Sequence, residues 1–168
     1  MIEVAGGIPV PVPLLEDNNF SFDPAAFDRL INERTKLIIL NSPSNPTGGV
    51  MPLEDLEHIA QAAAYHGFWI ISDEVYSRLD FDGKGVPSIT ALPGMLERTI
   101  IVDGFSKTYA MTGWRLGYGI MPESLAQRVE LLLTHSIGCT ATFTQFAGIQ
   151  ALAADQEMVS NMVEDYKQ

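Results

Sequence analysis

Short runs of apolar residues, each ended by polar residues, recur along the first two thirds of the chain. They occupy residues 37–40, 68–71 and 99–102. Continuous apolar runs of this length are typical of strands buried on both faces, as in a parallel sheet. A fourth run, at residues 115–120, stops at Pro122 and is predicted as a further strand. We also expect Trp69, inside the second run, to lie in the core.

Between these runs the apolar residues repeat every three or four positions, which is the spacing of one helix face. The clearest such helix runs from Leu53 to Ala63, with Gly67 as its expected C-cap. The same period predicts helices at residues 123–134 and 143–154, and another near the end of the chain. A strand, a helix and a strand in succession predict a parallel pair with a right-handed crossover. The predicted fold class is therefore α/β, a mostly parallel sheet flanked by helices in three layers (α/β/α).

Composition narrows what such a domain could bind. The chain has 168 residues, enough for one domain, and a formal net charge of −11. Because the phosphates of nucleic acids repel an acidic surface, nucleic acid is not expected as a partner. There is no run of about eighteen apolar residues and no leader pattern, so no membrane association is predicted. The only cysteine, Cys139, cannot form an internal disulfide, which predicts a buried structural thiol and a cytoplasmic protein.

Polar side chains follow three of the predicted strands. Asn45, Asp73 and Lys107 come after the first, second and third run respectively. Because ligands of open α/β sheets bind outside the carboxyl ends of the strands, we expect this amide, carboxylate and amine to meet at one edge. Each also has an ordinary explanation: a turn for Asn45, a helix cap for Asp73 and a solvated surface charge for Lys107. Arg115 could likewise be half of a surface ion pair.

Three longer segments point to a particular chemistry. They are N-S-P-S-N-P-T-G at residues 41–48, I-S-D-E-V-Y at 71–76 and S-K-T-Y-A-M-T-G-W-R at 106–115. In wording, order and spacing they resemble the pyridoxal-phosphate (PLP) dependent aminotransferases of class I/II, which have fold type I. The resemblance implies that residues 1–168 are part of the PLP-binding large domain. It also implies that the family's N-terminal segment and most of its small C-terminal domain are absent.

The resemblance implies catalytic roles for three side chains. Lys107 would form a Schiff base with the PLP aldehyde and later move a proton. Asp73 would keep the pyridine nitrogen protonated by its negative charge, so that the ring can accept electrons. Tyr76, together with Asn45, would hydrogen-bond the phenolic oxygen of the ring.

The same resemblance assigns a phosphate site but no metal site. Arg115 would bind the cofactor phosphate, for which a planar guanidinium is well suited, and Ser106 would add a hydroxyl contact. Metal ligands are not predicted, because the three histidines lack metal-ligand spacing and are expected to be surface or packing residues. They are His58, His66 and His135.

The activity implied is transfer of an amino group between an amino acid and a 2-oxo acid, in a homodimer. Two alternatives remain: a PLP-dependent C–S or β-lyase of the same fold, and a non-catalytic PLP-binding remnant. The M-T-G-W-R wording at residues 111–115 favours the aminotransferase. Because the family's partner for the substrate carboxylate lies in segments outside this sequence, we expect no turnover by the chain alone. The sequence does not specify which amino acid is used.

Overall fold

The computed structural model describes residues 2–167 and contains two β-sheets. The larger sheet confirms the predicted strands: three neighbouring strands are parallel, and the fourth is antiparallel to its neighbour. A smaller antiparallel pair precedes it. In chain order the strands are β1 (Leu14–Leu15), β2 (Ser21–Phe22), β3 (Leu37–Asn41), β4 (Trp69–Asp73), β5 (Thr99–Gly104) and β6 (Gly117–Ile120). The order in the larger sheet is β3-β4-β5-β6.

The four longest helices occur where the apolar period predicts them, with small shifts at their ends. The helices are α1 (Pro24–Leu30), α2 (Leu53–His66), α3 (Phe105–Thr108), α4 (Glu123–Ser136), α5 (Thr142–Ala153) and α6 (Glu157–Tyr166). Gly67 ends α2 with a left-handed φ of 75°, a conformation that glycine adopts without strain. Among the helices of residues 2–167, none has the length and apolar character needed to cross a membrane.

The N-terminal pair β1 and β2 and the helix α1 were not predicted. Strands of two residues are too short to show an alternating pattern. Helix α1, however, has a recognisable start: the Asp23 side chain accepts the N–H of Ala25 at 2.9 Å, and Pro24 is the first helical residue. An aspartate followed by proline is a common helix beginning, so this element was detectable from the sequence.

The core lies between α2 and one face of the larger sheet. Leu40 of β3 and Ile70 of β4 are directed to this side and pack with Leu56 and Ile59 of α2. Aromatic residues from β2 and α1 close one end of the cluster. The buried apolar residues of this core are Phe22, Phe27, Leu40, Leu56, Ile59, Ala60, Ala63, Phe68, Ile70, Ile89 and Met95.

The opposite face of the sheet is partly open within residues 2–167, and two burial predictions are wrong. Trp69 is 38% exposed because it alternates with Ile70 and therefore lies on the face away from α2. Leu37, its partner in β3, is 40% exposed on the same face. Cys139 is exposed, because it lies in the link between α4 and α5 rather than in the core.

Thr99 offers a stability test inside this core. Its side chain is 1% exposed, and among residues 2–167 its hydroxyl has no hydrogen-bond partner. We expect Thr99→Val to stabilise the chain by about 1 kcal/mol, because the substitution removes an unsatisfied buried hydroxyl and keeps the branched shape. Urea unfolding followed by circular dichroism measures this change.

The matched control is Thr90→Val. The Thr90 hydroxyl lies 2.8 Å from the Ser88 hydroxyl, so this substitution removes a hydrogen bond and should lower the stability. A lower urea midpoint for both variants would contradict the interpretation of Thr99.

Candidate active site

The carboxyl ends of β3, β4 and β5 lie side by side and form the candidate site. The strand register places Asn41 opposite Asp73, and Asp73 opposite Val102. These three residues therefore share one level and one face of the sheet, the face away from α2. Two residues beyond Val102 the strand ends, and the chain turns into α3, which carries Lys107.

Asn45, Tyr76 and Lys107 come together above this edge. The Lys107 Nζ atom lies 5.4 Å from the centroid of the Tyr76 ring, within range of a cation–π interaction. The Asn45 Nδ2 atom lies 3.5 Å from the Tyr76 hydroxyl oxygen, at the outer limit of a hydrogen bond. An amide and a phenol at this separation can both donate to one acceptor placed between them.

The loop that carries Asn45 is held to β4 by Asn41, a residue for which no separate role was predicted. The Asn41 side chain accepts the backbone N–H of Asn45 at 2.9 Å and donates to the Asp73 carbonyl oxygen at 3.3 Å. The peptide bonds Ser42–Pro43 and Asn45–Pro46 are both cis. An asparagine just before a proline-rich loop is a frequent turn former, which is the signal that could have identified Asn41.

Two adjacent carboxylates, Asp73 at the end of β4 and Glu74 just after it, have different partners. Glu74 Oε1 accepts hydrogen bonds from the hydroxyls of Ser72 at 2.9 Å and Ser88 at 2.7 Å. Asp73 is half-buried, and its Oδ1 accepts the N–H of Val75 at 3.3 Å. Because Glu74 is engaged by two serines, Asp73 is the carboxylate that remains at the site edge.

Arg115 and Ser106 have fewer contacts with the other predicted site residues. Arg115 is exposed, has a left-handed φ of 54°, and donates from its guanidinium to the Thr112 carbonyl oxygen at 2.9 Å. Ser106 is half-buried in α3, next to Lys107. Within residues 2–167 no hydrogen bond joins either side chain to Asn45 or Asp73.

Comparison with known proteins identifies the family. The model of the family "Aminotransferase class I and II" matches residues 1–168. The chain belongs to this family. It is 39% identical over 167 residues to an aspartate aminotransferase of Musicola paradisiaca, covering 99% of this chain and 42% of that protein. It is 41% identical over 166 residues to aromatic-amino-acid aminotransferase 2 of Thermococcus litoralis, covering 98% of this chain and 43% of that protein.

Solved aminotransferase structures share the fold. The crystal structure of an aromatic aminotransferase from Pyrococcus horikoshii superposes with a TM-score of 0.93 at 40% identity, covering 98% of this chain and 45% of that one. This similarity confirms the predicted α/β fold of type I and the resemblance seen in the three segments. The chain spans less than half the length of these relatives.

No group of three or more metal-ligand side chains is placed to hold an ion in the part of the chain that the structure describes. His58 has a packing role instead. Its Nε2 lies 2.8 Å from Asp28 Oδ1, and its ring centroid lies 5.7 Å from that of Phe27. The histidine therefore joins α2 to α1 at the edge of the core.

Proposed function

We propose that this chain is the central part of the PLP-binding large domain of an aminotransferase and holds the cofactor at the carboxyl ends of β3, β4 and β5. One observation carries the proposal: the Lys107 amine lies over the Tyr76 ring, at 5.4 Å from its centroid, with Asn45 beside the Tyr76 hydroxyl. An amine, a phenol and an amide thus converge beside Asp73. The chain's match to 42% of the length of an aspartate aminotransferase supports the assignment to part of a larger domain.

The side chains at the edge fit the chemical groups of PLP. An amine suits an aldehyde, and a carboxylate suits a protonated pyridine nitrogen. The Asn45 amide and the Tyr76 phenol lie 3.5 Å apart, so both can donate to a single phenolate oxygen. The cofactor thus has a counterpart for each reacting group among Asn45, Asp73, Tyr76 and Lys107.

When bound, PLP supplies an aldehyde that reacts with amines and a ring that accepts electrons from the substrate Cα. Lys107 would provide the amine that holds the cofactor, and its free amine would be the base that moves the proton of the substrate. Asp73 holds the proton on the pyridine nitrogen by charge and hydrogen bonding.

Tyr76 and Asn45 donate to the phenolic oxygen and thereby stabilise its ionised form. Arg115 is the proposed phosphate ligand: it is exposed, and its guanidinium can present several N–H donors in one plane. The Ser106 hydroxyl is proposed to donate a second hydrogen bond to the phosphate. These two proposed ligands lie at opposite ends of the segment of residues 106–115.

The proposed reaction is transfer of an amino group between an amino acid and a 2-oxo acid, in a homodimer and in the cytoplasm. The names of the relatives, which include aspartate and aromatic aminotransferases, support transfer rather than elimination. The lone cysteine, which cannot form an internal disulfide, supports a reducing compartment. We expect this chain alone to bind the cofactor without turnover.

Cofactor trapping tests the proposal directly. The chain is mixed with PLP and reduced with borohydride, which fixes any covalently held pyridoxyl group, and peptide mass spectrometry locates the label. The sequence has four lysines, so Lys36, Lys84 and Lys167 are internal controls. We expect Lys107 to be labelled at least about tenfold more than each of them, as for a lysine with a built site.

Lys84 is the most informative of these controls. Its side chain is 82% exposed, so its labelling measures the reactivity of an ordinary surface amine. Equal labelling of Lys84 and Lys107 would contradict the proposed site in this chain.

A further inference from the structure

Lys107 lies on helix α3, which is too short to be stable on its own. Helix α3 has only four residues, Phe105–Thr108, whereas helices in water need about a dozen residues for marginal stability. The contacts that hold α3 in place must therefore come from its surroundings. Those contacts determine where the Lys107 amine stands.

One set of contacts joins the end of β5 to β6. Asp103 and Tyr118 are directly opposite each other in the antiparallel pair, and the Tyr118 hydroxyl donates to Asp103 Oδ2 at 2.7 Å. The other oxygen, Asp103 Oδ1, accepts the backbone N–H of Gly104 at 2.6 Å. Gly104 is the N-cap of α3. One carboxylate thus connects the neighbouring strand to the residue at which the lysine helix begins.

A second set of contacts surrounds Phe105, the first residue of α3. Its buried ring packs against Tyr118, with 5.7 Å between ring centroids, and against Tyr109, with 5.5 Å. The Phe105 carbonyl oxygen accepts the N–H groups of Tyr109 and Met111, both at 3.2 Å. The backbone on both sides of Lys107 is therefore fixed through Phe105, whose ring rests on Tyr118.

The backbone at the corner between β5 and α3, around Gly104, is closely packed and has little room to move. A Cβ atom on Gly104 would lie 3.2 Å from the carbonyl oxygen of Leu116, just before β6, and 3.3 Å from the Cα of Gly117, its first residue. A Cβ on Gly148 of α5 would lie 3.2 Å from Phe105 Cζ. Strand β6 and helix α5 therefore confine the turn from two sides.

The Asp103 carboxylate lies on the sheet face opposite that of Asp73. Asp73 pairs with Val102, and the residue after Val102 is directed to the other face. Partial burial and the hydrogen bond to Asp103 raise the pKa of the Tyr118 hydroxyl well above its usual range, so the phenol remains a donor at neutral pH. The pair can influence the site only through the backbone that carries Lys107.

We propose that Asp103 and Tyr118 are positioning residues for Lys107: their hydrogen bond fixes the corner between β5 and α3 and so sets the position of the lysine amine relative to Tyr76. This inference rests on the proposed function for its link to PLP. The geometry of the corner itself does not depend on the cofactor.

The test removes the hydroxyl and keeps the ring. Tyr118→Phe preserves the packing on Phe105, and Tyr166→Phe, at an exposed position in α6, is the matched control. With PLP and borohydride, we expect Tyr118→Phe to lower the preference of labelling for Lys107 over the other lysines by about tenfold. The induced circular dichroism of the bound cofactor should fall in parallel, because it reports a fixed orientation.

Substitution of Asp103 separates the hydrogen bonds from general stability. Asp103→Asn keeps an acceptor for Gly104 and a polar partner for Tyr118, so labelling preference should stay within about twofold of the original chain. Asp103→Ala should lower the labelling preference for Lys107 by about as much as Tyr118→Phe does. If Tyr118→Phe behaves like Tyr166→Phe in both readouts, the positioning role is wrong.

A cofactor-free readout distinguishes this proposal from the proposed function. Hydrogen exchange without PLP measures the amides of Tyr109 and Met111, which are bonded to Phe105. We expect about tenfold faster exchange in Tyr118→Phe than in Tyr166→Phe. If the original chain shows no preference for Lys107 but exchange is accelerated in this way, the cofactor site fails and the positioning of α3 stands. Unchanged exchange would overturn the positioning role.

Discussion

Asp73→Asn is expected to weaken PLP binding by about 10- to 100-fold, the effect of losing one charge-assisted hydrogen bond. Asparagine keeps an oxygen that can accept the Val75 N–H, which lies 3.3 Å from Asp73 Oδ1, so the local turn should persist. It cannot, however, favour the protonated pyridine nitrogen by charge. Titration of the chain with PLP, followed by absorbance, measures the dissociation constant.

A matched variant and a matched ligand sharpen this experiment. Asp155 also accepts a backbone N–H two residues ahead, from Glu157 at 2.9 Å, but lies outside the site, so Asp155→Asn should leave PLP binding unchanged. An analogue of PLP with a C–H in place of the ring nitrogen should bind the original chain and Asp73→Asn equally. If the substitution weakens the analogue as much as PLP, the carboxylate does not act on the ring nitrogen.

Phe27→Ala is expected to lower the free energy of unfolding by about 3–5 kcal/mol, a large part of the 5–15 kcal/mol usual for a domain. The Phe27 side chain is 2% exposed, and its ring centroid lies 5.0 Å from that of Phe22. Truncation would leave a cavity where α1 and β2 meet α2. Urea unfolding followed by circular dichroism measures the loss.

The control for this cavity is Phe146→Ala. Phe146 is 66% exposed on α5, so the same chemical truncation there creates no cavity and should change the unfolding free energy little. Similar losses in the two variants would mean that the contacts of Phe27 are not a main source of stability.

The sequence predicted the sheet because β3, β4 and β5 each contain a continuous run of three or four apolar residues, a pattern typical of strands in a parallel sheet. It did not predict α3, since four residues give no helical period and the helix depends on contacts with β6 and α5. The burial of Trp69 was wrong for a related reason. A continuous apolar run does not reveal which face of a strand is covered, and the helix that packs on β4 covers only the face of Ile70.

The site residues likewise divide into those predictable from local sequence and those that depend on contacts between distant segments. The segments around Asn45, Asp73 and Lys107 were recognisable as motifs, and the parallel register explains why they follow neighbouring strand ends. The anchoring role of Asn41 depends on a hydrogen bond to a carbonyl on a different strand, that of Asp73 at 3.3 Å. A linear pattern does not contain this pairing, although the turn that Asn41 begins could have been inferred.

The parallel register of β3, β4 and β5 limits which substitutions the site can tolerate. A slip of β4 by one residue would turn every side chain to the other face and carry the Asp73 carboxylate away from the lysine. What prevents the slip is the fit of Leu40 and Ile70 against α2, residues that have no chemistry of their own. Polar substitutions at these two positions should therefore impair the proposed cofactor site, although neither residue belongs to it.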